Sequence, residues 1–183
     1  MKIALLSVAA AVLSVSALTA QAADGTVDFQ GKLVAQTCSI DINGVPSFSS
    51  AILLPRVSTS TLTTAGQTTG RTNFTIGLSN CGGSAKSAAA FFESLANWFD
   101  PVTGNLSYRP TAGFASNVQM QLLDAMTDKP IRVGDVGQLT STTQIPIDAS
   151  GNAKLPYAVQ YYATGVTTAG KAVTSTWFSI NYQ

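Results

Sequence analysis

The chain has two cysteines, Cys38 and Cys81, and they are the residues whose chemistry is easiest to state. They lie 43 positions apart in a chain of 183 residues that contains no histidine. Without an imidazole, neither a Ser-His nor a Cys-His nucleophile can be assembled. Two thiols alone are too few to hold a structural metal ion. The opening residues decide what the pair does. Lys2 is a positive start, Ile3 to Leu18 is an apolar run of Ala, Val and Leu, and Ala20-Gln21-Ala22 is a small-x-small cleavage signature. Residues 1–22 therefore read as a secretory signal peptide. In an exported chain with one cysteine pair, a disulfide is the default outcome. Closing a loop of this size stabilises by roughly 4 kcal/mol in the chain-entropy account.

The remaining candidates for chemistry have plainer readings. Gly165-Val166-Thr167-Thr168-Ala169-Gly170-Lys171 matches the core of a phosphate-binding loop. That loop needs Ser or Thr next, to hold a metal ion, and a helix after it to face the phosphate. Ala172 follows instead, leading into a strand-like stretch. Asp124 and Asp128 form a close carboxylate pair, but they flank a turn, where Asp is favoured for capping backbone N–H groups. Asn73-Phe74-Thr75 and Asn105-Leu106-Ser107 match the glycosylation pattern, the first inside the strongest strand of the chain. No residue is assigned a catalytic role, a metal or a cofactor.

These residues need a scaffold, and composition says which kind. Removing the first 22 of 183 residues leaves 161, enough for one domain. Without Lys2 the remaining chain has nine basic and nine acidic residues, with no basic cluster, so nucleic acid is not an expected partner. No small-molecule substrate is expected either. No apolar stretch beyond the signal peptide approaches membrane-spanning length. Only 10% of residues are charged, and Ser, Thr, Gly, Ala and Val dominate.

Period-two alternation predicts strands over Gly25 to Gln30, Lys32 to Ile40, Arg71 to Cys81, Ser116 to Leu123, Leu139 to Ile147 and Lys154 to Ala163. Turns are expected at Asn43 to Pro46, Pro101 to Asn105, Asp124 to Pro130 and Asp148 to Asn152, and an aperiodic loop over Ser58 to Thr72. Ala88 to Phe99 fits either a helical stripe or a short buried strand at Ala88 to Phe92. Seven or eight short strands at this spacing indicate an all-β sandwich.

The last stretch, Ala172 to Gln183, splits into two faces. Ala172, Thr174, Thr176, Phe178, Ile180 and Tyr182 share one, with large apolar groups at its end. Val173, Ser175, Trp177, Ser179, Asn181 and Gln183 share the other. Such a strand needs a neighbour on each edge or protection on one. Either it is an ordinary edge strand, or the missing neighbour comes from another molecule.

Six motifs in order bear on that choice: Gly25-Thr-Val-Asp-Phe-Gln-Gly31 with Cys38 seven residues on, Phe74-Thr-Ile-Gly-Leu-Ser-Asn-Cys81, Thr103-Gly104-Asn105-Leu106, Asn117-Val-Gln-Met-Gln-Leu-Leu-Asp124, Leu155-Pro156-Tyr157 and the near-terminal Tyr182. With these the whole mature chain resembles the pilin subunits of chaperone–usher fimbriae of the type 1 family. The resemblance implies an incomplete immunoglobulin-like β-sandwich that lacks its final strand, with residues 31–183 as the pilin domain. It implies a donor strand at residues 23–30, inserting Gly25, Val27 and Phe29 into a neighbouring subunit. The implied acceptor groove is lined by Thr174, Thr176, Phe178, Ile180 and Tyr182, with Phe74 and Ile76 as its walls, and it favours Ala88 to Phe92 as a strand. Implied partners are neighbouring pilin subunits in a homopolymer, a periplasmic chaperone and an outer-membrane usher, with the fibre displayed at the cell surface. Only Ala23-Asp24 precede Gly25, a shorter extension than in many major pilins, which leaves the donor's register open. The rival readings are a minor or adaptor subunit, and a secreted monomeric β-sandwich binding module.

Overall fold

A computed structural model describes residues 37–46, 50–94, 98–108 and 111–183. The described residues form nine strands, one short α-helix and a 3-10 turn at Thr59–Thr61: β1 (Thr37–Ile42), β2 (Val45–Pro46), β3 (Thr68–Gly82), β4 (Ser87–Glu93), β5 (Val118–Asp124), β6 (Lys129–Ile131), α1 (Gln138–Ser141), β7 (Ile145–Pro146), β8 (Ala153–Ala163) and β9 (Trp177–Tyr182). Two antiparallel sheets, ordered β2-β1-β3-β8-β5-β6 and β7-β4-β9, face each other as a sandwich. No helix among the described residues is long and apolar enough to cross a membrane.

Alternation explains the larger sheet. Phe74, Ile76 and Leu78 of β3 point inward and are buried, as are Met120 and Leu122 of β5 and Leu155, Tyr157 and Val159 of β8. Pro156 is tolerated inside β8 because β5 ends at Asp124, opposite Tyr157, so a missing N–H at Pro156 removes no ladder bond. The smaller sheet contributes Ala88, Ala90 and Phe92 from β4 to the same core. Tyr157 sits where the sheets meet: its ring packs edge-on to Phe92 at 5.0 Å and tilted to Phe74 at 5.8 Å.

Cys38 of β1 and Cys81 of β3 are joined in a disulfide between neighbouring strands. The turn after β1 is a two-residue hairpin with Asn43 at φ 54 and Gly44 at φ 79, the left-handed pair that matches strand twist. Asp124 is a turn residue. One carboxylate oxygen accepts from the Met126 N–H at 2.8 Å and the other from the Thr143 N–H at 2.7 Å. Asp128 instead pairs with Arg71 at 2.6 Å, so the two aspartates do not share a site. Residues 165–171 form a loop leading to an extended segment, with the Thr167 hydroxyl donating to the Leu62 carbonyl.

Ala88 to Phe92 is a strand, as the resemblance favours. Two elements differ from the expectation. β3 begins at Thr68, inside the stretch read as loop, because Thr68 and Thr69 pair with Tyr162 and Tyr161 of β8. Leu139 to Ile147 is not one strand. Asp135 accepts from the Gly137 N–H at 2.7 Å and starts a helical turn, α1, and only Ile145 and Pro146 reach a ladder. With three apolar residues in nine, its pattern is too sparse to outweigh that local turn.

Candidate functional site

The backbone of β9 shows what this terminal strand lacks. Among the described residues it pairs with β4 alone, from Glu93↔Trp177 to Ala88↔Tyr182. At its end Ser87 and Gln183 exchange both hydrogen bonds, at 3.1 and 3.0 Å. Bonded and non-bonded pairs alternate along an antiparallel ladder. Trp177, Ser179 and Asn181 therefore direct their N–H and C=O groups to β4, while Phe178, Ile180 and Tyr182 direct theirs to the other side. No described residue pairs with that side. Side-chain direction alternates in step, so Phe178, Ile180 and Tyr182 are also the residues whose side chains pack, half-buried, against the core. Burial pushes the Tyr182 phenol above its ordinary pKa. One row of residues thus offers unpaired peptide groups and apolar side chains together.

The far edge of this sheet is closed. β7 covers β4 at Ser87 and Ala88. The next two outward N–H groups are taken by buried side chains. The Tyr157 hydroxyl accepts from Ala90 N–H at 2.7 Å, and the Gln138 carboxamide accepts from Phe92 N–H at 2.9 Å while donating to Phe92 C=O at 3.0 Å. A primary carboxamide presents the donor and acceptor of a peptide group, so Gln138, only 4% exposed, acts as one residue of a missing strand. Sequence reading passed over Gln138, since nothing local marks a glutamine as an edge plug.

A second extended segment faces the core without a ladder. In residues 50–57, Ile52 and Leu54 pack against the core while Leu53 between them is 85% exposed. No backbone–backbone bond joins these residues to another described residue, and the Tyr161 hydroxyl donates to the Pro55 carbonyl at 3.3 Å. The apolar run Ile52-Leu53-Leu54 was the available sequence signal, cut short by Pro55.

The other residues singled out from sequence fall in different places. Phe74 and Ile76 lie on β3 in the opposite sheet, buried in the core. Thr174 and Thr176 precede β9. Their hydroxyls donate to the carbonyls of Ser107 and Glu93, each at 2.7 Å, and neither threonine is in a ladder. Gly25, Val27 and Phe29 lie outside the described residues. Among the described residues no cluster of His, Cys, Asp and Glu is arranged to hold a metal ion.

A sequence profile of the type-1 fimbrial protein, A, matches residues 54–183, most of the chain and every strand from β3 onward. The chain belongs to this family. This fimbrial protein is 39% identical over 172 residues to the major fimbrial subunit SMF-1 of Stenotrophomonas maltophilia (strain K279a), covering 93% of its own chain and 99% of that relative. It is 41% identical over 164 residues to the F17 fimbrial protein of Escherichia coli, covering 87% and 88%. Among solved structures, the P pilus rod subunit PapA superposes with a TM-score of 0.57 at 18% identity, over 80% of this chain and 99% of that one. A chaperone–usher pilus structure superposes with a TM-score of 0.53 at 19% identity, over 88% and 96%. The fold is that of a pilus subunit.

Proposed function

We propose that this fimbrial subunit polymerises by donor-strand exchange, with residues 23–30 as donor and the open edge of β9 as acceptor. The observation that carries the reading is the coincidence at Phe178, Ile180 and Tyr182 of core-facing apolar side chains with main-chain groups that no described residue pairs. Strand addition uses both: backbone bonds supply affinity, and alternate side chains supply specificity. Ile52 and Leu54, on a segment that likewise lacks a ladder, serve as the opposite wall of the groove. In this reading residues 1–22 are a cleaved signal peptide and residues 31–183 the pilin domain. A periplasmic chaperone occupies the edge first and delivers the subunit to an outer-membrane usher. The fibre is a homopolymer displayed at the cell surface, where it supports adhesion. Its work is structural, so no catalysis and no cofactor are involved.

Electrophoresis in SDS tests the reading directly. Fibres loaded without boiling should run as a ladder of oligomers that collapses to monomer on boiling. A single monomer band from unboiled, freshly isolated surface protein would favour a monomeric binding module instead.

A further inference from the structure

Asn43 is the one asparagine of the chain that is followed by glycine. Glycine has no side chain to obstruct its own nitrogen, so an Asn-Gly pair can react with itself. We propose that Asn43-Gly44 is a latent self-modification site, a succinimide-forming pair that the folded β1–β2 hairpin keeps closed and that loss of the Cys38–Cys81 tie opens. In the step, the Gly44 nitrogen gives up its proton and attacks the Asn43 Cγ. The N–Cγ bond forms, the Cγ–Nδ2 bond breaks, and Nδ2 leaves as ammonia with a proton from water. Water then adds to either carbonyl of the ring and opens it to aspartate or isoaspartate. Water is the sole co-reactant, and both residues are exposed to it.

In the fold both reacting groups are engaged. The Gly44 N–H donates to the Asp41 carboxylate at 2.7 Å. A negative acceptor holds that proton in place and opposes the anionic nitrogen that attack requires. The Asn43 side-chain carbonyl accepts from the Thr75 N–H at 2.8 Å, while the Asn43 N–H donates to the Thr75 carbonyl at 2.9 Å. Main chain and side chain of Asn43 are thus pinned to one residue of β3. Asp41 can lie where it does because it pairs with Gly77, where a Cβ would run into its carboxylate. Gly44 has open space around it: an added Cβ would meet no atom within 4 Å. Its φ of 79° is what calls for glycine, so the turn itself creates the reactive pair.

The lock lasts only while β1 stays on β3. Cys38 and Cys81 tie those strands at the other end of β1. Without the tie, openings that lift β1 from β3 become more frequent, and ring closure draws on them. The change is irreversible. Isoaspartate adds a backbone carbon to a two-residue loop whose length sets the Ile42↔Val45 register. Aspartate at 43 puts a second carboxylate two residues from Asp41. A chain that has lost its disulfide is thereby marked for good at residue 43.

Peptide mapping by mass spectrometry tests this on protein isolated from the cell surface and incubated in mildly alkaline buffer. Three samples are compared: oxidised and native, reduced and native, and unfolded in guanidinium. Enzymatic labelling of isoaspartate follows the second product. In the unfolded sample Asn43 should convert faster than Asn105, Asn117 and Asn152, which precede Leu106, Val118 and Ala153. In the oxidised native sample it should convert more slowly by about tenfold or more, because two hydrogen bonds must break first. Reduction without denaturant should recover much of that difference. Asp41→Ala protein, shown to be folded by near-ultraviolet circular dichroism, should convert faster than its parent. Equal rates in the oxidised native and unfolded samples would overturn the lock. An unchanged rate on reduction would overturn the disulfide's part in it, and an unfolded Asn43 no faster than Asn152 would overturn the site. Should Asp41→Ala fail to fold, the comparison of native with unfolded parent protein still decides.

Discussion

Tyr157 shows how much one side chain settles at the residue scale. Its ring fills the junction of the sheets and its hydroxyl satisfies a β4 N–H that no described strand reaches. Burial is the main reason its phenol is pushed up to about 12, with the hydrogen bond from Ala90 acting the other way. Because the folded value exceeds the ordinary value of 10.0, the neutral phenol's contribution is complete below pH 10 and is lost as pH rises from there towards 12. Two units correspond to roughly 3 kcal/mol. Chemical unfolding of the donor-complemented subunit across that window should show this loss, and the Tyr157→Phe variant should lack it. That variant should also be less stable by about 1–3 kcal/mol at neutral pH, from the stranded Ala90 N–H. An unchanged alkaline profile in Tyr157→Phe would assign the loss to other groups.

At the scale of elements, two devices hold the strands that frame the edge. The Cys38–Cys81 disulfide joins β1 to β3 and closes a 43-residue span. Mass spectrometry of the native protein should find no free thiol, and Cys81→Ser should fail to accumulate. The second device is Gln138 on Phe92. Replacing it by Leu removes both bonds while nearly keeping volume, and should cost about 1–3 kcal/mol. Amide exchange at Phe92 should accelerate while exchange at Ile76, in the other sheet, follows only the global change. Equal protection of Phe92 in both proteins would show that burial, and not the Gln138 carboxamide, shields that N–H.

The whole molecule has two separable ends in the donor-exchange reading, and their deletions should fail differently. A subunit lacking residues 23–30 keeps the acceptor edge. It should still bind chaperone and accept a donor peptide, yet should not extend a fibre. A subunit lacking Phe178 to Gln183 loses the edge itself and should lose chaperone binding too. Co-purification with the chaperone and electron microscopy of surface fibres read out both. The intact subunit freed from its chaperone should self-associate, because an apolar strand edge is an aggregation site. A stable monomer that takes up no donor peptide would count against the reading.

Much of this was legible in order along the chain. Alternation in Phe74, Ile76 and Leu78 marked β3, the Asn43-Gly44 pair marked a turn, and the two faces of Phe178 to Tyr182 marked a strand in need of a neighbour. Such patterns are local: period-two hydrophobicity and turn chemistry act within a few residues. Other features depend on residues far apart. Gln138 became a surrogate strand for Phe92 across 46 positions, and Tyr157 became the cap of Ala90 across 67. Residues 138–141 turned helical where a weak alternation suggested strand. Sequence alone therefore pointed to an exported, disulfide-linked β-sandwich whose last strand needed either protection or a neighbour. Only the tertiary structure decided which edge stays open, because an edge is open or closed according to what distant side chains supply to its backbone.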